Sequence, residues 1–313
     1  MRKPTAIIAI HGGTGPASEE ITPERERSSL EVLEEIVCAG QKLLAEGADA
    51  LDVVTEAVRL LEDCPLFNAG KGAVFTAAGT HELDAAVMDG KTLSAGAVAC
   101  VQRLANPILA ARAVMEHSGH VLLVGEGAEE FARSRGLQMV EQSYFHTDFR
   151  YAQWQRARAE SAAANHARKQ NSETGTVGAV ALDAAGNLAA ATSTGGMTNK
   201  RVGRVGDTPL IGAGCYADRY VAVSSTGLGE TFIRAVAGHD VSAQIEYGGR
   251  SLQEATEYTV MKKLPQIQGR GGMIAIDRLG NVALPFNTEC MYRGFARVGD
   301  APAVAIYPSD HRS

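Results

Sequence analysis

Thr176 stands at an abrupt change in the chain. Behind it, from Tyr151 to Gly175, apolar periodicity is lost, and alanine, arginine and polar residues dominate. Ahead of it, Thr176-Val177-Gly178-Ala179-Val180-Ala181-Leu182-Asp183 reads as a buried strand. Gly175 leaves the intervening peptide bond sterically open. A hydroxyl at such a junction is either a nucleophile facing an accessible carbonyl or a threonine chosen for its β propensity. The residue types alone leave both readings open.

Other chemistries find little support. Gly13-Thr14-Gly15 follows a strand, but Ser18 stands where a dinucleotide fingerprint needs its third glycine, and Phe232 does so after Gly227-Leu228-Gly229. No GxxxxGK[ST] phosphate loop occurs. His11-Gly12-Gly13 is like the oxyanion strand of esterases, yet no Gly-x-Ser-x-Gly elbow accompanies it. The 8 histidines, at 11, 81, 117, 120, 146, 166, 239 and 311, show neither metal-ligand spacing nor a triad motif. They read as structural, so a hydrolase built on this chain needs some other base. The 5 cysteines, Cys38, Cys64, Cys100, Cys215 and Cys290, form no CxxC pair. Zinc and thioredoxin-like sites are thereby unsupported, and reduced, mostly buried thiols in a cytoplasmic protein are expected.

The elements that must position Thr176 follow from periodicity. Residues 5–10 read as a buried strand stopped by glycines. Residues 24–46 and 48–62 carry apolar stripes of amphipathic helices, the second closed by Pro65. A glycine-rich loop, Phe67-Asn68-Ala69-Gly70-Lys71-Gly72, comes next. Strands are predicted at 82–88, 94–101 and 120–124, with helices at about 107–117, 230–237 and 252–263. Residues 151–175 are predicted to be a flexible linker. Asp183-Ala184-Ala185-Gly186-Asn187 and Asp277-Arg278-Leu279-Gly280-Asn281 each turn one strand back on the next. These groupings predict an α+β chain folded as a four-layer αββα sandwich.

Length and composition set bounds on partners. The chain has 313 residues, 45% hydrophobic and 21% charged, enough for a sizeable core. Its formal net charge is −6, and the densest basic stretch, Arg156 to Lys169, also holds Glu160 and a run of alanines. Nucleic acid is therefore not an expected partner. The apolar run Thr5 to Ile10 is too short for a signal peptide, and no stretch has the length of a membrane span.

The segment from Thr176 to Asp183, continued by Gly186-Asn187-Leu188-Ala189-Ala190-Ala191-Thr192-Ser193-Thr194-Gly195-Gly196-Met197-Thr198-Asn199-Lys200, closely resembles the plant-type asparaginases. These are N-terminal-nucleophile hydrolases that also cleave isoaspartyl dipeptides. The likeness takes in Ile10-His11-Gly12-Gly13, the stretch from Pro65 to Phe75, Glu82-Leu83-Asp84-Ala85, the stretch from Gly203 to Pro209, the stretch from Ser225 to Glu230, and Pro285-Phe286-Asn287-Thr288-Glu289. It covers nearly the whole chain except the linker. Leu228 replaces a usual threonine, Cys290 a usual glycine and Thr14 a common alanine. Leu228 lies nearest the implied site, and none of the three removes a carried-over catalytic group.

The resemblance implies the N-terminal-nucleophile hydrolase fold and a self-cut between Gly175 and Thr176, giving pieces 1–175 and 176–313 of one domain. The freed α-amine of Thr176 would then serve as the base. Such an amine has a pKa of roughly 7.7–8.0, against about 10.4 for lysine. By position, Thr194 would orient the nucleophile, Thr226 and Gly227 would form the oxyanion hole, and Asn68 would support the nucleophile from its loop. Arg204 would clamp a substrate α-carboxylate, while Asp207 and the Gly229 carbonyl would hold an α-ammonium. The expected substrates are isoaspartyl dipeptides and L-asparagine. No cofactor is needed for catalysis. A structural sodium ion would sit among the carbonyls of Leu61, Glu62, Cys64, Phe67, Ala69 and Lys71. The family further implies an (αβ)₂ heterotetramer. A glycosylasparaginase is the alternative enzyme, although that group usually has aspartate where Gly175 stands. A non-catalytic protein keeping the fold is the alternative of another class.

Overall fold

The computed structural model describes residues 5–15, 21–163 and 175–308. Twelve strands occur among them: β1 (Ile7–Gly15), β2 (Leu83–Asp89), β3 (Ala95–Val101), β4 (Leu122–Val124), β5 (Val177–Leu182), β6 (Leu188–Thr194), β7 (Cys215–Ala217), β8 (Val221–Gly227), β9 (Gly271–Asp277), β10 (Val282–Ala283), β11 (Cys290–Arg297) and β12 (Ala303–Ala305). They form an eight-stranded sheet in the order β12-β11-β1-β5-β6-β2-β3-β4 and a four-stranded sheet in the order β10-β9-β8-β7.

Helices α1 (Pro23–Ala45), α2 (Ala50–Asp63), α3 (Pro107–His117) and α4 (Gly125–Ser134) cover the outer face of the large sheet. α5 (Asp148–Ala163) follows. Helices α6 (Gly229–Ala235), α7 (Ala237–Glu246) and α8 (Leu252–Glu257) cover the small sheet, α8 running on through a π-helical stretch, Tyr258–Lys263, into α9 (Leu264–Gln266). The four layers are therefore helix, sheet, sheet and helix, as the sequence pattern predicts.

Strand parity shows why each layer exists. In β1, Ile8 and Ile10 join the core under α1–α4, whereas Ile7 and Ala9 join the core between the sheets. In β5 the odd residues Val177, Ala179 and Ala181 face the helices, and the even ones, Val180 and Leu182, face the second sheet. β6 repeats this with Ala189 and Ala191 against Leu188 and Ala190. A strand buried on both faces needs apolar or hydrogen-bonded residues at every position, which is why these strands read as continuous apolar runs. α1 lies close on β1, since a Cβ at Gly40 would come within 2.3 Å of Ile8 Cδ1.

The two Asp-x-x-Gly-Asn turns are built alike. Asp183 Oδ1 accepts the N–H groups of Ala185 and Asn187, each at 2.9 Å, and Oδ2 accepts the Asn187 side chain at 3.0 Å. Asp277 does the same with Leu279 and Asn281. Gly186 and Gly280 take the left-handed backbone, φ 87° and 81°, that closes each turn.

Two expectations are corrected. Residues 151–163, read as linker, are helical within α5. They are rich in alanine, glutamine and arginine, good helix formers. Only a few side chains anchor the helix, so no long apolar stripe marks it. Trp154 stacks on Phe75 at 5.5 Å between centroids, and the buried Arg150 donates from Nε to the Gly72 carbonyl at 2.8 Å. The rest of that linker, residues 164–174, lies outside the described residues. The cysteines are free as expected, but only Cys215 and Cys290 are buried, and Cys38 is exposed.

Candidate active site

The parity that builds the core also gathers the hydroxyls. Thr176 and Gly178 of the β5 segment, Thr192 and Thr194 of β6, and Ser224 and Thr226 of β8 share the parity that points between the sheets. His11 shares it with Ile7 and Ala9 of β1. All six polar side chains are buried.

Thr176 Oγ1 donates to Thr194 Oγ1 at 3.2 Å. Thr194 Oγ1 in turn donates to the Gly175 carbonyl oxygen at 3.1 Å and accepts the Gly196 N–H at 2.9 Å. The same Gly175 oxygen accepts from Asn68 Nδ2 at 2.6 Å. Asn68 is held in turn: its Oδ1 accepts Val74 N–H at 3.0 Å, and its Nδ2 also donates to the Gly196 carbonyl at 2.7 Å. Two fixed donors thus meet the one carbonyl next to the Thr176 hydroxyl. Such an arrangement stabilises an oxyanion if that carbonyl is attacked.

Thr226 and Gly227 end β8 beside Thr176. The Thr14 N–H donates to Thr226 Oγ1 at 3.2 Å. That bond occupies one lone pair of the Thr226 hydroxyl and leaves its proton available for donation. Gly227 has φ 145°, and a Cβ there would lie 2.3 Å from the Arg270 carbonyl oxygen, so only glycine fits.

A small cleft opens at Thr176. Thr194, Gly196, Met197, Arg204, Gly206, Asp207, Thr208 and Gly227 complete its walls. On the other side of the Gly175–Thr176 peptide lies a larger cavity of about 80 Å³, lined by Gly175, Gly12, Gly13, Asn68, Phe149 and Arg150 among others. Gly175 faces one space and Thr176 the other.

Arg204 and Asp207 both reach the cleft. Arg204 donates from Nε and Nη2 to Glu230, a residue whose part the sequence does not reveal, so the bidentate edge assigned to a substrate carboxylate is already engaged. Asp207 is buried, and among the described residues its Oδ2 meets no partner. Loss of solvation pushes its pKa up to about 7, against the smaller opposing pull of Arg204. An unpaired buried carboxyl facing a cleft is a receptor for a cation. Gly229 lies against both groups: a Cβ there would sit 2.7 Å from Asp207 Oδ1 and 3.0 Å from Arg204 Nη2.

Sequence alone does not mark His11 as part of this assembly. Its Nδ1 lies 2.8 Å from the Thr176 carbonyl oxygen and its Nε2 2.8 Å from Ser224 Oγ, which is 2.7 Å from Thr192 Oγ1. Burial lowers its pKa to about 3. The available signal was strand parity in β1, which aims position 11 at the second sheet.

The residues expected around an ion lie on the last turn of α2, which holds Leu61 and Glu62, and on the tight loop that follows it. Gly70 is left-handed, φ 48°, and a Cβ there would sit 2.3 Å from the Glu62 carbonyl oxygen, as one at Gly72 would sit 2.1 Å from that of Phe67. Leu61 and Ala69 carbonyls already accept Cys64 and Gly72 N–H groups at 3.4 and 3.2 Å, leaving each a second lone pair. Among the described residues no cluster of three or more His, Cys, Asp or Glu side chains could hold a metal. A donor set of carbonyl oxygens suits a hard cation. Beside the loop, the Glu62 carboxyl is buried and pushed up to about 8 by desolvation, its Oε1 accepting from Ser193 Oγ at 2.6 Å and Ile108 N–H at 3.0 Å.

The chain is similar to known proteins along nearly its whole length. A family model described as asparaginase matches residues 4–306. The chain is 60% identical over 308 residues to the isoaspartyl peptidase of Escherichia coli (strain K12), covering 96% of each protein. It is 60% identical over 308 residues to the isoaspartyl peptidase of Salmonella typhimurium, covering 96% of this chain and 98% of that one. It is 41% identical over 306 residues to an isoaspartyl peptidase/L-asparaginase of Danio rerio, covering 97% and 96%.

Proposed function

Because the chain belongs to the asparaginase family, we propose that it is an autoprocessing amidohydrolase that releases L-aspartate from β-aspartyl dipeptides and from L-asparagine. It is a hydrolase of the N-terminal-nucleophile fold. The observation that carries the proposal is the Gly175 carbonyl, held by Asn68 Nδ2 and Thr194 Oγ1 in the peptide that precedes Thr176, whose hydroxyl donates to the same Thr194 Oγ1.

In maturation, Thr176 Oγ1 attacks the Gly175 carbonyl carbon, and Asn68 and Thr194 take up the charge on its oxygen. The C–N bond breaks, its nitrogen gaining the hydroxyl's proton, and an ester joins Gly175 to Thr176 Oγ1. Water cleaves that ester, leaving a Gly175 carboxylate and a Thr176 with free hydroxyl and free amine. In turnover, that amine accepts the hydroxyl proton and Oγ1 attacks the substrate's side-chain carbonyl. Thr226 Oγ1 and the Gly227 N–H receive the oxyanion. The amine or ammonia leaves with the proton, and water activated by the α-amine frees aspartate. Arg204 meets the α-carboxylate with its remaining donors, and Asp207, helped by the Gly229 carbonyl, meets the α-ammonium.

The loop from Leu61 to Lys71 would hold sodium through its carbonyls, a structural role remote from the reacting atoms. Two cut chains are proposed to pair as an (αβ)₂ assembly in the cytoplasm. Among the described residues no helix is long and apolar enough to cross a membrane. Purified protein run on a denaturing gel tests the central claim: activity together with a single uncut band would overturn it.

A further inference from the structure

We infer that His11 is a positioning residue: as a neutral imidazole carrying its proton on Nδ1, it ties the Thr176 carbonyl in the large sheet to Ser224 in the small one, and so sets the nucleophile's distance from the Thr226–Gly227 donors. The inference rests on the function proposed above and names how its two halves are held in register.

The proton positions follow from the partners. A carbonyl oxygen can only accept, so at 2.8 Å from the Thr176 oxygen Nδ1 must carry the hydrogen. Nε2 is then bare and accepts from Ser224 Oγ–H at 2.8 Å, and Ser224 accepts from Thr192 Oγ1–H at 2.7 Å. Every hydroxyl proton points toward Thr176 along Thr192, Ser224 and His11. Complete burial opposes a second proton on the ring. The imidazole therefore donates to an oxygen that does not react, and neither takes nor gives a proton during turnover.

The backbone around it is shaped for this contact. β1 pairs with β5 as far as His11 opposite Gly178, and its pairing with β11 shifts register between His11 and Gly13. Beyond that point the Thr176 carbonyl has lost its ladder partner, and the imidazole replaces it. Gly178 leaves room: a Cβ there would lie 2.0 Å from Ser224 Oγ and 2.5 Å from His11 Nε2. Gly13, with φ 112°, lets β1 pass the scissile peptide, where a Cβ would come 2.9 Å from the Gly175 Cα.

The functional reach comes from β8. Ser224 and Thr226 are two residues apart on one strand, about 6.6 Å, and both point between the sheets. A strut from Thr176 to Ser224 therefore also places Thr176 against Thr226. Misplacement of a reacting group by about 1 Å can cost roughly 100-fold in rate.

Ser224→Ala removes the donor to Nε2 without touching Thr176. His11→Asn keeps an N–H near the Nδ1 position but cannot reach Ser224. Both are expected to lower kcat on β-Asp-Leu by about 10- to 100-fold while KM moves less than about 3-fold, because Arg204 and Asp207 are outside the strut. A fall confined to KM, or kcat within about two-fold of the parent in a folded variant, would overturn the inference. Nitrogen NMR of the histidine-labelled parent provides a readout that needs no variant. It should show Nδ1 protonated and Nε2 bare throughout about pH 5–9. Titration in that range, or the opposite tautomer, would equally overturn it. The parent and Thr176→Ala are run alongside. A parent that neither cuts nor turns over brings down the proposed function, and the tautomer then decides the strut by itself.

Discussion

Arg204 and Glu230 meet edge to edge, Nε donating at 3.0 Å and Nη2 at 2.9 Å to the two oxygens of one carboxylate. The Arg204 side chain is 16% exposed and the Glu230 side chain 49%. A guanidinium has five N–H donors, so Nη1 and the outer hydrogen of Nη2 remain to receive a substrate carboxylate on the cleft side. Glu230 would thus aim the clamp proposed for Arg204. Glu230→Gln should raise KM for β-Asp-Leu by about two- to five-fold, the scale of a half-exposed pair, and leave self-cleavage unchanged. Steady-state kinetics on the mature enzyme checks this, and a KM at the parent's value would remove Glu230 from the site.

Arg204→Ala should be far more damaging to turnover. An α-carboxylate left without its partner in a partly dry cleft costs roughly 2–5 kcal/mol, or about 30- to several-thousand-fold. By the same reasoning α-Asp-Leu, whose α-carboxylate is tied up in its peptide bond, should not be cleaved. Equal turnover of the two dipeptides would show that Arg204 reads some other group. The self-cut should proceed in this variant, since Gly175 presents no carboxylate to it.

Self-cleavage should need no added protease. The smaller piece is expected to begin Thr-Val-Gly-Ala on N-terminal sequencing. Thr176→Ala should stay folded, uncut and inactive, and Thr176→Ser should keep part of both reactions because a hydroxyl remains. Normal maturation of the alanine variant would place the nucleophile elsewhere.

Asn68→Ala removes the shorter of the two bonds to the Gly175 oxygen. Loss of one oxyanion donor typically slows a reaction about 100- to 1000-fold, and the half-life of the uncut band should lengthen accordingly. Asn68 also braces Val74 and Gly196, so the time course is compared at equal folded fraction by circular dichroism. A folded variant that cuts at the parent's rate would mean that Thr194 polarises that carbonyl alone.

Asp207 gives the site a pH signature of unusual sign. Desolvation raises its pKa from 3.8 to about 7. Between those values the folded chain binds more protons than the unfolded one, so this residue's contribution to stability falls as pH rises from about 4 to about 7. Substrate-free Asp207→Asn should therefore melt above the parent at about pH 8 and with it at about pH 3.5. Binding runs the other way. A substrate ammonium needs the carboxylate charged, so KM should fall through about pH 7, while kcat follows the Thr176 amine, titrating near roughly 7.7–8.0. Superimposable melting profiles for the two proteins would discard the buried-carboxyl account.

Much of this fold was legible because strands buried on both faces have no polar positions to spare. α3 falls at 107–117 as its apolar spacing predicts, and both Asp-x-x-Gly-Asn turns close hairpins. α5 was hidden, since a helix held by Trp154, Arg150 and a few neighbours leaves no stripe. In the site, the threonines and Arg204 with Asp207 are legible through family resemblance, and the structure brings Thr176, Thr194, Arg204 and Asp207 to one cleft. His11 carries no sequence signal of its own, since histidine motifs mark acids, bases and ligands, whereas this one acts through a fixed hydrogen. Glu230 was unreadable because its partner lies 26 positions away, a separation with no periodic signature.

The Gly175–Thr176 peptide stands between two spaces, the cavity on the Gly175 side and the cleft on the Thr176 side. It is a partition as well as a bond. Hydrolysing it, as proposed, would create the amine that activates the nucleophile and part the divider between the two spaces, so that reactivity and their joining would arrive in one event. An uncut chain would then be not a slow enzyme but one without its base. A preparation's activity should count its opened molecules, each contributing fully or not at all.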